Sequence, residues 1–165
     1  MPPVMPTVPK PGQESVWDYP RPPRLEPFLK RVQIVFAGAQ IVDAPQCWRV
    51  LETSHPPVYY IDQAFIAAGA LVPAPGGSLC EWKGAARYFD VLSNGEIAHR
   101  AAWSYPAPLP PYAALANAVA FYAGSMERCL VGGEAVTPQP GGFYGGWITA
   151  NVVGPFKGDP GSMGW

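Results

Sequence analysis

The sequence is poor in charge and poor in uninterrupted stretches that could form long helices. Charged residues make up 14% of its 165 positions, against about 25% in an average domain. Its 22 prolines and 18 glycines break most segments. Eleven basic and twelve acidic side chains leave a net charge of −1, which gives no field to attract a polyanion. We therefore expect few long helices and no nucleic-acid partner.

Long hydrophobic runs are also missing. The longest nearly uncharged stretch, residues 64–79, is interrupted by glycine and proline, well short of the roughly 20 apolar residues that a membrane span needs. Residues 1–11 contain neither the apolar stretch nor the small-residue cleavage site of a secretory signal. These features predict a cytoplasmic protein with no membrane partner.

Residues that bind metals are scarce and scattered. Cys47, Cys80 and Cys129 form no Cys-x-x-Cys pair, so neither a disulfide framework nor a four-thiolate zinc site fits. Neither His55 nor His99 lies at a ligand-like spacing from a cysteine. We expect no metal and no cofactor.

Apolar and aromatic residues are abundant enough for a folded core. Hydrophobic residues make up 48% of the sequence and aromatic residues 13%. Burying this many apolar side chains can offset the entropy lost on ordering the chain. Short strand patterns separated by turn residues are typical of antiparallel β domains. We predict a mainly β fold with one or two short helices over residues 14–165. Residues 1–13 are predicted to be a disordered or extended proline-rich leader.

Two local signals locate elements within that fold. Asp62 can cap a short helix over residues 63–69, which Gly69 would end. Asn94-Gly95 predicts a tight hairpin because both residues tolerate the positive φ of a type I′ turn. Two-residue closure predicts these facing pairs: Ser93 with Glu96, Asp90 with His99, Phe89 with Arg100, and Ala86 with Trp103.

The residues that could carry chemistry are few. No Gly-x-x-x-x-Gly-Lys loop, Gly-x-Ser-x-Gly elbow or His-Glu-x-x-His motif occurs. Strand alternation would place Cys80 on the face opposite Lys83, so this thiol is either a nucleophile or an inert buried group. The scattered carboxylates leave only Glu52 and Glu81 as acid or base candidates.

The two histidines each have two interpretations. His99, facing Asp90 across the hairpin, would resemble part of a catalytic triad, and the same pair also suits a structural role. His55 precedes Pro56-Pro57 and could either act as a general base or hold a turn by bonding to the backbone.

Tryptophan and tyrosine are concentrated in segments rich in glycine and proline, where backbone can leave a cavity open. Such rings either fill a core or form walls around a planar ligand. Two lysines in the same segments could meet a negative group on that ligand. The candidate ligand-binding residues are Tyr60, Trp82, Lys83, Trp103, Tyr105, Tyr144, Trp147 and Lys157.

Several motifs support a family resemblance: ETSHPPVYY at residues 52–60, CEWKG at 80–84, AWSYP at 102–106, YGGWIT at 144–149 and GPFKG at 154–158. Together they resemble the bacterial family called domain of unknown function 427, over about residues 14–165. The resemblance implies a β-tent-like fold, the architecture of methionine-R-sulfoxide reductases and of the thalidomide-binding domain of cereblon. Because the two Cys-x-x-Cys pairs of many β-tent proteins are missing, it implies a zinc-free version.

A nucleotidyltransferase label sometimes accompanies this family. The Gly-Ser…Asp-x-Asp pattern that would hold two magnesium ions is absent, so we do not expect that activity. Similar folds host unrelated chemistries, and the resemblance therefore informs the fold more than the function.

These observations lead to one principal hypothesis and two alternatives. We predict a module that binds a small planar or cyclic ligand in an aromatic-walled pocket. The first alternative is an enzyme that uses Cys80, His55 or His99. The second is a protein-interaction module, in which the proline-rich stretch at residues 21–24 and an exposed strand edge bind a partner or form a homodimer.

Overall fold

The computed structural model describes residues 4–165, which form a mainly antiparallel β structure, as the sequence predicts. Short 3-10 helices at Val16–Asp18, Gln63–Phe65, Pro110–Asn117 and Ala123–Ser125 connect the strands. The strands of the described residues, numbered along the chain, are β1 (Glu14–Ser15), β2 (Arg24–Phe28), β3 (Val32–Phe36), β4 (Ala39–Ala44), β5 (Cys47–Leu51), β6 (Val58–Asp62), β7 (Leu71–Cys80), β8 (Gly84–Ser93), β9 (Glu96–Ser104), β10 (Ala118–Phe121), β11 (Arg128–Val131), β12 (Glu134–Ala135), β13 (Thr137–Pro138), β14 (Trp147–Ile148) and β15 (Val152–Val153).

Most strands belong to two antiparallel sheets. The larger sheet has seven strands in the order β2-β5-β6-β10-β9-β8-β7, and the smaller has four in the order β12-β11-β3-β4. Strand β13 pairs with β14 in antiparallel fashion, and β1 pairs with β15 in parallel. The β1–β15 pair brings residues from the two ends of the described chain together, since Glu14 faces Val152.

The main hydrophobic core takes side chains from both large sheets. Ile34 and Val42 from the small sheet are buried in the same cluster as Ile61 and Phe121 from the large one. Burying one such side chain stabilises the fold by about 1.5–3 kcal/mol. This core holds one face of the seven-stranded sheet rigidly in place.

A second aromatic cluster covers the opposite face of the large sheet. Successive residues of a strand point to opposite faces, so Tyr59 faces the main core while Tyr60 joins the second cluster. Small residues, Ala86 and Ala120, belong to this second cluster beside Trp103. Large rings next to alanines leave room between them, and the candidate site lies there.

The Asn94-Gly95 hairpin forms, but its register changes along the strands. Ser93 faces Glu96 as predicted, and Val91 faces Ala98. Beyond an irregularity between Phe89 and Val91, the facing pairs become Phe89 with Ala102 and Tyr88 with Trp103. The predicted pairs of Phe89 with Arg100 and Ala86 with Trp103 are therefore wrong.

The cause of this register change is a local bulge at Arg100. Its φ is +50°, and its main-chain N–H donates to Oδ1 of Asp90 on β8 at 2.8 Å instead of to a main-chain carbonyl of that strand. The Asp90 side chain thus takes the place of a main-chain acceptor. Strand β9 accommodates extra residues at this point. Asp90 and His99 still lie close, with Oδ2 and Nδ1 3.6 Å apart.

The helix after Asp62 is shorter than predicted. Oδ1 of Asp62 accepts a hydrogen bond from Ala64 N at 2.8 Å, which confirms the predicted cap. The helical turns end at Phe65, and Ile66 already has extended backbone. Ile66 forms a bridge to Val42 of β4, so pairing with a strand replaces the second helical turn.

The predicted leader lies partly within the described residues, whereas residues 1–3 lie outside them. Thr7 N donates to Gly154 O at 2.8 Å, and the side-chain amide of Gln13 donates to Ala150 O at 3.0 Å. No helix or strand is assigned over residues 4–13. In the described chain, no helix has the length and hydropathy needed to span a bilayer.

Candidate functional site

A cavity of about 320 Å³ opens on the second aromatic cluster. This volume is near the lower end of the range for small-molecule sites, about 300–1,000 Å³. The cavity lies over strands β5, β6, β8 and β9 and is closed on one side by the segment that follows β13. Its aromatic walls are Tyr60, Trp82, Tyr88, Trp103, Tyr105, Tyr122, Phe143 and Tyr144.

Three rings on or next to strands β6 and β9, which are separated by β10, form the floor of the cavity. Tyr60 lies on β6 and Trp103 on β9, and the indole N–H of Trp103 donates to the Tyr60 hydroxyl at 3.4 Å. The rings of Tyr60 and Tyr105 are 6.3 Å apart, and those of Trp103 and Tyr122 are 4.6 Å apart. None of these pairs is stacked face to face, so the rings meet at angles around open space.

Burial keeps the floor uncharged. It raises the pKa of the Tyr60 hydroxyl well above its usual value, and it raises the pKa of Tyr105 in the same direction. Loss of a phenolic proton would put an anion into a low-dielectric site. Both hydroxyls therefore remain neutral hydrogen-bonding groups at physiological pH.

Polar side chains from distant parts of the sequence form one end of the cavity. Gln139 uses its side-chain oxygen to accept from Gly146 N at 3.0 Å, which orients its amide nitrogen toward His55. That nitrogen lies 3.1 Å from Nδ1 of His55 and donates to Lys157 O at 2.8 Å. Because an amide nitrogen only donates, Nδ1 of His55 accepts and carries no proton.

His55 is thereby held as a neutral ring with its proton on Nε2. This nitrogen lies 3.6 Å from Oε2 of Glu52, a carboxylate that also lines the cavity. Burial lowers the pKa of His55 to about 4, and the positive charges of Lys157, Arg21 and Lys83 act in the same direction. Nδ1 accepts from Gln139, and Nε2 faces the Glu52 carboxylate across 3.6 Å, so His55 lies between two residues that line the cavity.

A largely buried cation occupies another part of the wall. Lys83 is only 9% exposed, and its ammonium lies 5.4 Å from the centre of the Tyr105 ring. Within residues 4–165, no fully buried side-chain N or O lacks a hydrogen-bond partner. The Lys83 side chain lines the cavity, where its ammonium can meet a negative or strongly polarised group of a ligand.

The glycine-rich loop at residues 140–146 completes the wall. A Cβ added to Gly145 would overlap the Trp103 indole, so this position admits only glycine with the ring in place. The Tyr122 hydroxyl donates to Phe143 O at 3.0 Å, and Tyr144 meets His55 edge to face at 4.7 Å. The loop is thus held on both sides of the cavity.

The structure brings together six of the eight predicted ligand-binding residues. The two others lie outside the cavity lining. Trp147 is 1% exposed, stacks on Tyr59 at 5.1 Å and belongs to the main core. The Lys157 ammonium donates to Trp165 O at 3.2 Å and lies 5.5 Å from the Tyr144 ring. The six residues that line the cavity are Tyr60, Trp82, Lys83, Trp103, Tyr105 and Tyr144.

The three candidate catalytic residues separate into two places. Cys80 and His55 line the cavity, and the Cys80 thiol is half-buried. His99 is exposed and lines a different groove beside Arg100. The other cysteines, Cys47 and Cys129, are buried away from the site.

Sequence reasoning did not place several residues in the site. Tyr88 lines the cavity because the register change in the hairpin places it opposite Trp103. Gln139 reaches His55 across 84 positions of sequence, a contact for which no local spacing offers a signal. Phe143 adjoins the Tyr144 motif, and its neighbouring glycines were the one available indication of a loop over the site.

The described residues contain no group of three or more His, Cys, Asp or Glu side chains suited to hold a metal ion. The described chain is a mainly antiparallel β domain with an aromatic-walled cavity on the outer face of its larger sheet. A family model described as "Domain of unknown function (DUF427)" matches residues 24–132, and the chain belongs to this family. A comparison with curated proteins finds no match.

Proposed function

We propose that this domain binds a small planar or cyclic ligand in the aromatic-walled cavity. The observation that supports this most strongly is the angled arrangement of Tyr60, Trp103 and Tyr105 around a cavity of about 320 Å³. Rings that only fill a core interlock at native density and leave few voids larger than a water molecule. Here the same cluster leaves a cavity large enough for a ring.

The chemistry of the walls indicates what such a ligand carries. A planar ring can lie against the aromatic walls and gain about 0.5–1.5 kcal/mol for each favourable aromatic contact beyond burial. Lys83 suits a carbonyl or carboxylate oxygen, and Glu52 suits an N–H or O–H donor. A ring with an acceptor and a donor on its edge fits both side chains.

The domain is proposed to act in the cytoplasm without a metal or an organic cofactor. The ligand would enter from the open side of the cavity, next to the half-buried Trp82. Trp82 covers the ring without being part of the fully buried cluster, so its removal should affect binding more than folding.

Binding of indole tests the proposal. Indole is planar, carries one N–H donor, and is small enough for the cavity. Ligand-observed NMR at millimolar indole should detect binding to the wild type. Trp82→Ala should weaken it by about tenfold or more, because a stacked wall is lost.

Trp48→Ala is the matched control. Trp48 is also half-buried against the same aromatic cluster, yet it does not line the cavity. The Trp48→Ala variant should keep the wild-type affinity for indole. Equal loss of affinity in both variants, or no binding to the wild type, would contradict the proposal.

Cys80 supports a second candidate function. Its thiol lines the same cavity as Lys83 and Glu52, so a bound ligand would lie within reach of a nucleophile. An enzyme of this kind would need the thiolate. Selective labelling of Cys80 separates this candidate from simple binding.

A further inference from the structure

A second groove of about 580 Å³ adjoins the aromatic cavity. Six residues line both spaces, so the two lie on either side of one wall. The wall consists of the Tyr88 and Tyr122 rings and the loop that follows β13. The shared residues are Tyr88, Tyr122, Gln139, Phe143, Tyr144 and Gly145.

The groove contains one cationic guanidinium and no acidic side chain in the part of the chain that the structure describes. Arg100 and His99 line it, together with hydroxyls of Tyr88, Tyr122 and Ser125. The nearby Asp90 carboxylate accepts from Arg100 N and lies 3.6 Å from His99. The Tyr122 hydroxyl already donates to Phe143 O, so the Arg100 guanidinium is the group of this groove that suits an anion.

Arg100 is fixed in position without being neutralised by a carboxylate. Its Nη1 donates to Pro75 O at 2.7 Å, and its guanidinium carbon lies 4.2 Å from the centre of the Tyr88 ring. A Cβ at Gly76 would come within 2.7 Å of Nη1, so this glycine makes room for the side chain. The position of the cation is therefore set by its neighbours.

Five other arginines of the described chain each lie within 4.0 Å of a carboxylate, whereas Arg100 and Arg87 have no such partner there. A free, oriented guanidinium can bind an oxyanion through two parallel N–H bonds. The carboxylate-paired arginines are Arg21, Arg24, Arg31, Arg49 and Arg128.

The backbone at Arg100 adds an independent indication. A φ of +50° costs a non-glycine residue about 1–3 kcal/mol, and such residues cluster at binding and switch sites. Bulges in strands redirect side chains. The bulge at Arg100 interrupts a regular hairpin register at the one arginine that lines the groove.

We propose that the natural ligand is a planar ring with an anionic tail, and that the groove binds the tail through Arg100. This inference rests on the proposed function, since the ring occupies the aromatic cavity. The tail, a carboxylate or a phosphate, passes the Tyr88 and Tyr122 wall and meets the Arg100 guanidinium. Lys83 then contacts the edge of the ring, at the other side of the site.

Two probes with the same ring and chain length but different end groups test the inference. Indole-3-propionate carries a carboxylate, and 3-(indol-3-yl)propan-1-ol carries a neutral hydroxyl on the same chain. Calorimetric titration of the wild type should show a dissociation constant at least about fivefold lower for the carboxylate, because a charge-assisted bond forms. Arg100→Gln should abolish this preference.

Arg87→Gln is the matched control. Arg87 is an exposed arginine of β8 that also lacks a carboxylate partner in the described chain, and it lines neither space. This variant should keep the full preference. Should Arg100→Gln fail to fold, Lys83→Gln and the salt dependence decide together. The preference for the carboxylate should persist in Lys83→Gln, and raising NaCl from about 0.05 M to about 0.5 M should reduce it.

The outcomes distinguish this inference from the proposed function. Equal affinity of both probes for the wild type would overturn the anionic tail while leaving the ring site intact. A preference that persists in Arg100→Gln but disappears in Lys83→Gln would overturn the groove as its location. Absence of binding by indole and by both probes would overturn the proposed function itself.

Discussion

The side-chain amide of Gln139 donates to Nδ1 of His55 at 3.1 Å and joins the loop after β13 to the start of β6. Through Gly146 and the Lys157 carbonyl, the same amide fixes two further segments. The neutral state of one imidazole therefore supports the wall of the cavity. This relationship leads to a prediction about pH.

Stability should fall with acidification through the titration of His55. Its pKa is about 4 in the folded chain and about 6.5 when unfolded. The unfolded state therefore binds more protons between these values, and folding free energy is lost as pH falls from about 6.5 to about 4. The full loss is about 3 kcal/mol at 1.36 kcal/mol per pKa unit.

Urea denaturation of the wild type and His55→Gln at several pH values measures this contribution. The variant should show a smaller loss of unfolding free energy between pH 6.5 and 4, because the titrating group is gone. His99→Gln removes an exposed histidine outside the cavity and keeps His55, so it should retain the loss of unfolding free energy that His55 causes. If His55→Gln and the wild type lose stability in parallel, His55 does not have the assigned state.

Gly145→Ala should damage the cavity without backbone strain. The φ of Gly145 lies outside the left-handed region, and a Cβ there overlaps the Trp103 indole. Displacing the ring or the loop should cost about 1–3 kcal/mol and should abolish indole binding. In Gly164→Ala, the new Cβ meets nothing within 4 Å; this control should match the wild type in melting temperature and binding.

Thiol labelling should select Cys80. Burial raises the pKa of Cys47 and of Cys129 to about 12, and both side chains are almost fully enclosed. A chromogenic disulfide reagent should label one thiol of the native protein quickly, and Cys80→Ser should remove that phase. Excess indole should slow it by occupying the cavity.

The rate at which Cys80 is labelled distinguishes a simple binding site from a catalytic thiol. Labelling at the rate of an exposed model thiol would reflect access alone, whereas a rate at least about tenfold higher would indicate an activated thiolate. If indole fails to protect Cys80, the thiol and the ligand site are separate, contrary to the geometry described above.

Local chemistry in the sequence was sufficient to predict the β class, the turn at Asn94-Gly95 and the Asp62 cap. The register of the hairpin was not predictable, because it depends on Asp90 accepting from the Arg100 backbone. The alternating pattern of residues in a strand gives no sign of that hydrogen bond. The helix after Asp62 likewise ended early through a contact with Val42, which lies on another element.

The sequence indicated which kinds of residue would surround the cavity, but it did not show which individual residues line it. Trp103 and Trp147 have similar chemistry, yet one lines the cavity and the other stacks on Tyr59 in the core. Only the pairing of strands decides which face each ring takes. Gln139 was missed because its partner His55 is distant in sequence.

The central claim is that the angled rings over the large sheet enclose a binding site. Crystals of the protein soaked in indole test it directly. We expect planar density in the cavity between Trp82, Trp103 and Tyr105, with its N–H toward an acceptor of the polar end. Crystals in which those side chains interlock and close the cavity, or in which indole binds elsewhere while the cavity holds only solvent, would contradict the account.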